Sequence, residues 1–376
     1  MINKIHPELL SDVKVLGNNM VDCFLHAKNF KSTQNMLNSS NIEYVAYPFM
    51  NCFFAHIPAH KIVEFSNFQC VSYITKSAKV FTQIDRAKKF MNIDNFANIS
   101  STPPTIAFID TGIAPHLDFL LPTPRIIHFK DFINNQPKPY DDNGHGTFIS
   151  GVCCGNGLCS NFKYSGISPN ANIVMIKALD SLGETNSQTI IDAMQYIYDI
   201  RNTYNIKVVC MSFGADYSGA NDPLQKGALA LWNSGLIVVA AAGNSGPDSK
   251  SIKSPGTSSR IITVGGLDDG RNDNIIKIAD FSSRGPAESK FKPDIIAPSV
   301  DITSTSNLFK QGFYTTMSGT SVATPMIAGI CAILSCKHPN YSPDKIKHTL
   351  LNMCTPLTHN KNDEGFGYVK FDLTEP

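Results

Sequence analysis

The chain has 376 residues, of which 42% are hydrophobic, and its 32 basic and 31 acidic side chains leave a formal net charge of +1. This length suits two domains, or one large domain with an appendage, and it provides enough apolar residues for a sizeable core. The balanced charge, without long like-charge runs, argues against nucleic acid or an anionic membrane as a partner.

Taken in chain order, the N-terminus comes first, and it lacks the features of an export signal. Residues 1–10 have neither an apolar core nor a small-residue cleavage site, and no uninterrupted apolar run elsewhere is long enough to span a bilayer. We therefore expect a cytoplasmic protein, with export by another route as the alternative. The ten cysteines are expected to be free thiols, because a reducing cytosol does not favour disulfides.

The first hundred residues have a pattern typical of a small α+β domain. Residues 42–56 are strand-like, residues 59–65 are compatible with a short helix, and residues 71–74 with another strand. The sequence therefore predicts an N-terminal domain over residues 1–85, with its boundary between 78 and 96. A larger domain is predicted over residues 97–376.

From residue 105 onward, apolar β-rich runs alternate with helical patterns, which is typical of βαβ units and a parallel sheet. The runs are hydrophobic throughout rather than alternating, so we expect strands that are buried on both faces. These candidate strands are residues 105–109, 173–178, 207–211, 236–241 and 261–264. The predicted fold class is α/β, with a mostly parallel central sheet and helices on both of its faces.

Helix signals fall between and after these strands. Helices are predicted after residues 186–187, from 222–223 until a glycine at 235, and from 342–343, since Asn, Asp or Ser beside a helical pattern caps its start. His145 and Ser321 are each expected to begin a helix. Pro325 is expected in the first turn after Ser321, where its missing N–H costs little.

Three short segments place an acid, a base and a nucleophile in the chain order Asp, His, Ser. They are residues 109–112 (IDTG), 143–147 (NGHGT) and 319–325 (GTSVATP). A serine hydroxyl is a poor nucleophile at neutral pH, so it needs an imidazole to take its proton and a carboxylate to orient that imidazole. Each residue alone has an ordinary explanation, as a turn residue, a surface imidazole or a helix cap. The combination points to catalysis.

The order and the flanking glycines resemble those of the subtilisin-like serine proteases. A fourth segment, residues 241–246 (AAGNSG), resembles the oxyanion-hole loop of that family, and the resemblance runs from about residue 101 to residue 372. It implies a serine endopeptidase in which Ser321 attacks, His145 moves the proton and Asp110 orients the imidazole. It further implies that the Asn244 side chain and the backbone N–H of Ser321 stabilise the oxyanion.

The resemblance also implies where an extended substrate pairs and which pocket takes the residue before the cut. The implied substrate-binding residues are Ser212, Phe213 and Gly214 on one edge, Gly183 within 180–185 on the opposing edge, Ala242 and Gly243 as a pocket wall, and Lys253 beside the far wall. Main-chain pairing of this kind accepts many sequences, so the pockets set the preference. Lys253 stands where a small residue is expected, which raises the hypothesis that acidic residues are accepted there. A solvated surface lysine is the alternative.

The same resemblance gives the N-terminal domain a role. By position and coarse pattern, residues 1–85 resemble a propeptide that assists folding and then inhibits the enzyme within the same chain, and a permanent domain is the alternative. The chemistry requires no cofactor. A structural calcium stays open, because Asp118 falls near one ligand position of the family while residues 154–164 offer no convincing carboxylate set. Cys153, Cys154 and Cys159 lack the paired spacing of a metal site.

These observations predict a serine endopeptidase made as a zymogen, with proteins or peptides as substrates and its own propeptide as an intramolecular inhibitor. Two rivals stay open. One is a non-catalytic peptide-binding or regulatory homologue whose cleft is permanently plugged, and the other is an esterase or acyl transferase that uses the same groups. The complete catalytic set argues against the first, and the peptide-pairing segment around Ser212 argues against the second.

Overall fold

The computed structural model divides the chain into two units, Met1–Val80 and Phe81–Pro376. The residues that it describes are 4–5, 9–10, 13, 19–48, 51–76, 87–88, 90–91, 103–219, 221–270, 274–288, 290–309 and 311–370. Most of the expected boundary and cleavage segment, 78–96, lies outside the described residues. The role of the first unit as a propeptide stays a prediction.

The first unit is built around a four-stranded antiparallel sheet. Its elements are β1 (Met20–Ala27), α1 (Phe30–Ser39), β2 (Tyr44–Tyr47), β3 (Cys52–Pro58), α2 (Ala59–Ser66) and β4 (Val71–Lys76). The strand order is β2-β3-β1-β4. Alternate residues of β1, from Val21 to Ala27, are buried, so one face of the sheet carries the core of this unit.

The sequence analysis predicted α2 and β4 within two residues, but it was wrong about residues 42–56. This segment is two strands rather than one. The chain reverses between them at Asn51, which has a positive φ of 55° and donates its N–H to the carbonyl of Pro48. Asparagine tolerates this left-handed conformation better than most residues, which makes a tight reversal possible here. Strand β1 and helix α1 were not predicted.

The second unit holds the larger sheet and most of the helices. Its elements are β5 (Thr105–Asp110), α3 (Leu117–Leu120), β6 (Ile126–Asp131), α4 (His145–Cys154), β7 (Asn172–Lys177), α5 (Ser187–Ile200), β8 (Ile206–Met211), α6 (Pro223–Asn233), β9 (Ile237–Ala241), β10 (Ile262–Asp269), β11 (Ile276–Ile278), β12 (Ile295–Pro298), β13 (Ile302–Thr305), β14 (Tyr314–Met317), α7 (Thr320–Lys337), α8 (Pro343–Asn352), β15 (Cys354–Thr355), α9 (Lys361–Glu364) and β16 (Tyr368–Val369).

The central sheet has the order β15-β16-β12-β10-β9-β8-β5-β7-β6, and β11 pairs with β10 at its side. The strands from β12 to β6 run parallel, while β11 and β15 pair antiparallel with their neighbours. Every residue of β5 and β9 is buried, as their continuous hydrophobicity predicts for strands with helices on both faces. The predicted α/β fold is confirmed, and β10 extends five residues beyond its expected end.

The predicted helix starts are confirmed by their caps. The side chain of Asn186 accepts the N–H of Thr189 at the start of α5, and Asp222 accepts the N–H of Gln225 at the start of α6. Ser342 caps α8 in the same way. These bonds satisfy N–H groups that have no partner within the helix, which is why short polar residues mark the starts in the sequence.

Helix α7 forms the centre of the second unit. It packs against α4 and against the strands β8, β9 and β10, and nearly all of its side chains up to Leu334 are buried. By length and composition alone, this described helix could cross a membrane, and 78% of its most apolar window is buried inside the protein. The sequence analysis looked for uninterrupted apolar runs, and this helix is interrupted by polar residues such as Ser321 and Thr324. Because α7 is held by the core along its length, its first turn is a rigid position for a reactive side chain.

Candidate active site

Three neighbouring parallel strands end at the same edge of the central sheet. Asp110 is the last residue of β5, Ser212 directly follows β8, and Asn244 lies three residues after β9. In an open parallel sheet, the carboxyl ends of adjacent strands lie beside one another, and ligands bind outside them. The topology therefore brings the segments with Asp110, Ser212 and Asn244 together, although they are far apart in the sequence.

Asp110 and His145 form a hydrogen-bonded pair. His145 is the first residue of α4, and its Nδ1 donates to Asp110 Oδ1 over 2.7 Å. The Asp110 side chain is 3% exposed, while that of His145 is 28% exposed and reaches the surface. Burial by itself lowers the pKa of His145, but the charge and hydrogen bond of Asp110, with a smaller contribution from Asp141, raise it above its usual value.

Two glycines allow the acid and base segments to approach so closely. A Cβ on Gly146 would lie 2.1 Å from the carbonyl oxygen of Gly112 and 3.1 Å from Asp110 Oδ1. Gly112 itself has a φ of +120°, and a Cβ there would lie 2.2 Å from the carbonyl oxygen of Tyr140. A larger residue at Gly146 would push Asp110 and His145 apart, and one at Gly112 would displace the backbone of Tyr140, which explains the glycines in these two segments.

Ser321 is the second residue of α7, so the sequence analysis placed it correctly at a helix start but misplaced Pro325. Pro325 is the sixth residue of this helix, inside it rather than in its first turn. Proline has no N–H to give to the carbonyl four residues earlier, which is that of Ser321. The hydroxyl of Ser212 donates to this carbonyl instead, over 2.9 Å. The chain following β8 thus replaces the missing helical bond and ties the Ser321 backbone to the sheet.

The amide of Asn244 has a fixed orientation. Its Oδ1 accepts the backbone N–H and the hydroxyl of Thr320, each over 2.9 Å, so its Nδ2 faces the other way. A Cβ on Gly319 would lie 3.2 Å from Ser321 Oγ and 3.3 Å from Asn244 Nδ2. The Ser321 hydroxyl and the Asn244 amide donor therefore border the same small space.

Asp110, His145, Asn244 and Ser321 all line one cleft of about 640 Å³. Among the residues that the structure describes, no hydrogen bond joins Ser321 to His145. Catalytic hydrogen bonds are often long in the absence of substrate and tighten in the complex. The structure thus brings the four predicted residues to one cleft and forms the acid–base pair, while the contact between base and nucleophile is expected to form on substrate binding.

Most of the predicted substrate-binding residues line the same cleft. Ser212, Phe213 and Gly214 lie on one side, and Gly183 belongs to a segment that contributes several other lining residues, including Glu184. Both segments that the resemblance implies as edges therefore line the cleft, and the one around Gly183 is a turn in which Gly183 donates its N–H to the carbonyl of Asp180. Ala242, Gly243 and Lys253, in contrast, do not line this cleft among the described residues.

Lys253 fills the space between Gly214 of the predicted edge and Gly243 of the predicted pocket wall. A Cβ on Gly214 would lie 2.7 Å from Lys253 Cβ, and one on Gly243 would lie 2.5 Å from Lys253 Cγ. Its Nζ binds Asp216 Oδ1 over 2.5 Å, and the Asp216 side chain is 92% exposed. The aliphatic part of Lys253 is thus packed between the two glycines, and its charge lies in an open ion pair at the surface.

Asp118, the possible calcium ligand, is fully buried and forms a cluster with the fully buried His116 and the half-buried Cys159. Asp118 Oδ1 accepts the N–H of Cys159 over 2.9 Å, and Oδ2 accepts the hydroxyl of Tyr314 over 2.8 Å. His116 Nδ1 accepts the N–H of Asp118, so its Nε2 donates to the carbonyl of Phe313. Calcium prefers six to eight oxygen ligands, and this nitrogen, sulfur and oxygen set does not fit it.

Cys159 supplies a thiol rather than an oxygen to this cluster. Burial, followed by the charge and hydrogen bond of Asp118, raises the pKa of this thiol to about 11. A cation is already present nearby. The buried guanidinium of Arg125 donates to the carbonyl oxygens of Cys154 and Ala171 over 2.7 and 3.1 Å, and to that of Asp118.

Two residues that shape the site were not predicted from the sequence. Thr320 orients Asn244, and a hydroxyl residue directly before the nucleophile is the signal that could have indicated it. Lys177 ends β7 with a fully buried side chain, and its Nζ donates to the Thr111 carbonyl and to Asp142 over 2.6 and 2.7 Å. A lysine in a largely apolar strand indicates a buried charge that needs partners, but the sequence does not show which residues these are.

Comparison with known proteins agrees with this geometry. Residues 101–369, which are more than two thirds of the chain, match the family described as "Subtilase family". This chain belongs to the subtilase family. Subtilases are serine endopeptidases, so the hydrolysis of peptide bonds in proteins or peptides is its activity, and the predicted enzyme class is confirmed.

Individual subtilases are similar to the chain in sequence and in structure. Serine protease AprX of Bacillus subtilis (strain 168) is 38% identical, over 77% of this chain and 70% of its own length. A thermostable alkaline protease of Halalkalibacterium halodurans is 29% identical, over 67% and 62%. The solved structure of Sphericase covers 79% of this chain and all of its own, with a TM-score of 0.66 and 25% identity. The S41 psychrophilic protease gives the same TM-score with 27% identity.

Proposed function

We propose that Ser321, His145 and Asp110 carry out the hydrolysis through an acyl-enzyme. The observation that carries the proposal is the 2.7 Å hydrogen bond from His145 Nδ1 to Asp110, in the cleft that Ser321 also lines. This bond fixes the tautomer in which Nε2 is unprotonated and can take a proton.

In this proposal, Ser321 Oγ attacks the carbonyl carbon of the scissile bond while His145 Nε2 accepts the hydroxyl proton. His145 then donates that proton to the leaving amine, and water repeats the sequence to release the acid. Asp110 stays ionised and stabilises the imidazolium. Asn244 Nδ2 and the backbone N–H of Ser321 donate to the oxyanion, and these donors are held in advance, so they stabilise the transition state without reorganisation.

We propose that substrates bind as an extended strand between the two sides of the cleft. The backbone of Ser212, Phe213 and Gly214 supplies one edge, and the segment around Gly183 supplies the other. Backbone pairing gives binding that tolerates many sequences, as a protease with general substrates requires. A simple ester lacks the backbone N–H groups that such pairing needs.

The first unit is proposed as an intramolecular inhibitor, which makes the chain a zymogen. Its support is a division of the chain near Val80 and a separate hydrophobic core in the first unit. A segment with its own core can fold, assist and then be removed without loss of the core of the second unit. We further propose a cytoplasmic location, because all ten cysteines are free and a reducing compartment maintains thiols.

Wild type and Ser321→Ala are compared to test these proposals together. We expect wild type to hydrolyse a peptide and its matched ester, and to be shortened at its N-terminus by intact mass. Ser321→Ala is expected to do neither. Ester-only turnover would refute the peptide-pairing proposal, and an uncut, inactive wild type would favour the permanently plugged homologue.

Lys253 is proposed to select an acidic residue before the cut. Its ammonium is held by Asp216, whose side chain is almost fully exposed, so a substrate carboxylate can compete for it. An exposed ion pair is worth up to about 1 kcal/mol, so we expect about a twofold to fivefold preference for Glu over Gln at this position. Glu and Gln have the same shape and differ in charge, which isolates the electrostatic contribution.

Peptides that differ only in this residue (Glu, Gln, Leu or Phe) measure the preference as kcat/KM. Lys253→Met keeps the aliphatic part and should abolish the Glu preference, whereas Asp216→Asn should increase it by freeing the ammonium. Lys253→Gly should instead open the space between Gly214 and Gly243 and favour Leu and Phe. Equal rates for Glu and Gln in wild type and Lys253→Met would rule out the hypothesis.

We propose that no metal ion is required at Asp118, because Arg125 supplies a built-in cation to the carbonyl groups of this region. Dialysis against EDTA is therefore expected to leave the Tm unchanged. Arg125→Met should lower the Tm, since it leaves buried carbonyls without a donor, and added calcium should not restore it. A clear fall in the Tm of wild type on chelation would contradict this proposal.

A further inference from the structure

Asp141 is a buried carboxylate that the proposed mechanism does not use. It is 8% exposed and lies four residues before His145, outside the lining of the cleft. Its two oxygens accept five hydrogen bonds from groups on both sides of the site. The donors are the Thr111 hydroxyl (2.9 Å), the N–H groups of Asn143 (3.1 Å) and Gly144 (2.8 Å), and the N–H (2.8 Å) and hydroxyl (2.6 Å) of Thr147.

These hydrogen bonds connect the segment that contains Asp110 to the segment that contains His145. Thr111 directly follows Asp110, and its hydroxyl donates to Asp141 while it accepts the N–H of Gly146 over 2.9 Å. Gly146 directly follows His145. Gly146 thus binds Thr111 directly. A second path, from Thr111 to Gly144 on the other side of His145, passes through the carboxylate of Asp141.

The negative charge of Asp141 acts on His145 as well. The charged groups that bear on the imidazole are Asp110 from the end of β5 and Asp141 from the segment before α4, and Glu184 lines the same cleft from the opposite side. Burial lowers the pKa of His145, Asp110 raises it most strongly, and Asp141 adds to the rise. Proton transfer makes the imidazole positive, so a second fixed negative charge favours the transition state.

We propose that Asp141 is a positioning residue of the active site, which holds the Asp110 and His145 segments in register and stabilises the imidazolium through its charge. This rests on the roles proposed above for Asp110 and His145. Asp141 touches no substrate, since it does not line the cleft. Its loss should therefore lower kcat and leave KM nearly unchanged.

Asp141→Asn removes the charge and keeps the shape of the side chain. His145 must be neutral to accept a proton, so activity is lost as the pH falls through its pKa, which Asp110 and Asp141 raise above the usual value in wild type. The pH at which kcat/KM falls to half of its plateau should be lower in Asp141→Asn by about half a pH unit to one pH unit. This is the effect of removing a charge that is not in direct contact with the imidazole. We also expect kcat at the plateau to fall about tenfold, because the path between the two segments is weakened.

The matched control is a carboxylate outside the site. Asp199 lies on the exposed face of α5 and accepts a hydrogen bond from Gln195 over 2.9 Å, so Asp199→Asn should leave the titration of His145 unchanged. NMR titration of His145 in the Ser321→Ala background measures this midpoint directly, without turnover. A folded Asp141→Asn with wild-type kcat and an unmoved His145 midpoint would overturn the proposal.

A second variant covers the case in which Asp141→Asn does not fold. Thr111→Val deletes the hydroxyl that joins Asp141 to Gly146 but keeps the charge of Asp141. We expect it to lower kcat several-fold while the His145 midpoint stays in place, and an unaltered kcat would count against the proposal. Failure of the proposed catalytic roles has a different signature, namely an active Ser321→Ala.

Discussion

Ser321→Ala and His145→Ala are each expected to lower kcat by about 10⁶, and the double variant is expected to be no slower than either single variant. This magnitude is the loss seen when the equivalent residues of subtilisin are removed. The non-additivity has a physical reason. A serine without its base is not a nucleophile, and a base without the serine has no proton to take, so the first loss already removes the whole step.

Both single variants should remain folded, because neither side chain packs in the core. Ser321→Ala should keep the wild-type Tm, whereas His145→Ala should lower it modestly, since it removes a hydrogen-bond donor to the buried Asp110 carboxylate. The residual activity of all three variants should still exceed the uncatalysed rate, since the oxyanion donors remain. Losses that add in the double variant would mean that Ser321 and His145 act independently, which contradicts their roles as nucleophile and base.

Asn244→Ala is expected to lower kcat by about 10²–10³ with little change in KM, again by analogy with the equivalent asparagine of subtilisin. The amide donates to an oxygen that becomes negative only in the transition state, so its loss weakens that state more than substrate binding. Thr320 holds Asn244 Oδ1 by two hydrogen bonds, which keeps the donor in place before the reaction starts.

Two controls separate this role from a structural one. Thr320→Val removes the hydroxyl donor to Asn244 but keeps the backbone bond, so a smaller loss of kcat is expected. Asn186→Ala removes an asparagine that lines the same cleft but caps α5, and it should affect stability rather than kcat. A large rise in KM for Asn244→Ala, with kcat preserved, would make Asn244 a binding residue instead.

The parts of the fold that follow local rules could be predicted from the sequence. Continuous apolar runs identified β5, β7, β8 and β9, because strands covered on both faces have no polar side. Capping residues located the starts of three helices. The motifs around Asp110, His145 and Ser321 identified the residues that meet in the cleft, since each reactive side chain needs a glycine nearby for close approach.

The rest depended on contacts between segments that are distant in sequence. The place of Pro325 inside α7 is tolerated because Ser212 from another strand supplies the missing hydrogen bond, which local pattern cannot indicate. Arg125 was not predicted because its acceptors are backbone carbonyls, which every residue has. Asp141 resembles an ordinary polar loop residue until the fold brings Thr111 and Thr147 to its two oxygens.

Reaction of the wild type with a serine-directed fluorophosphonate, followed by mass mapping of the labelled peptide, tests the central claim most directly. The reagent reacts only with a serine that a neighbouring base activates. We predict one adduct, on Ser321, and no labelling of His145→Ala under the same conditions. An unlabelled wild type, or an adduct on a different serine, would contradict the account.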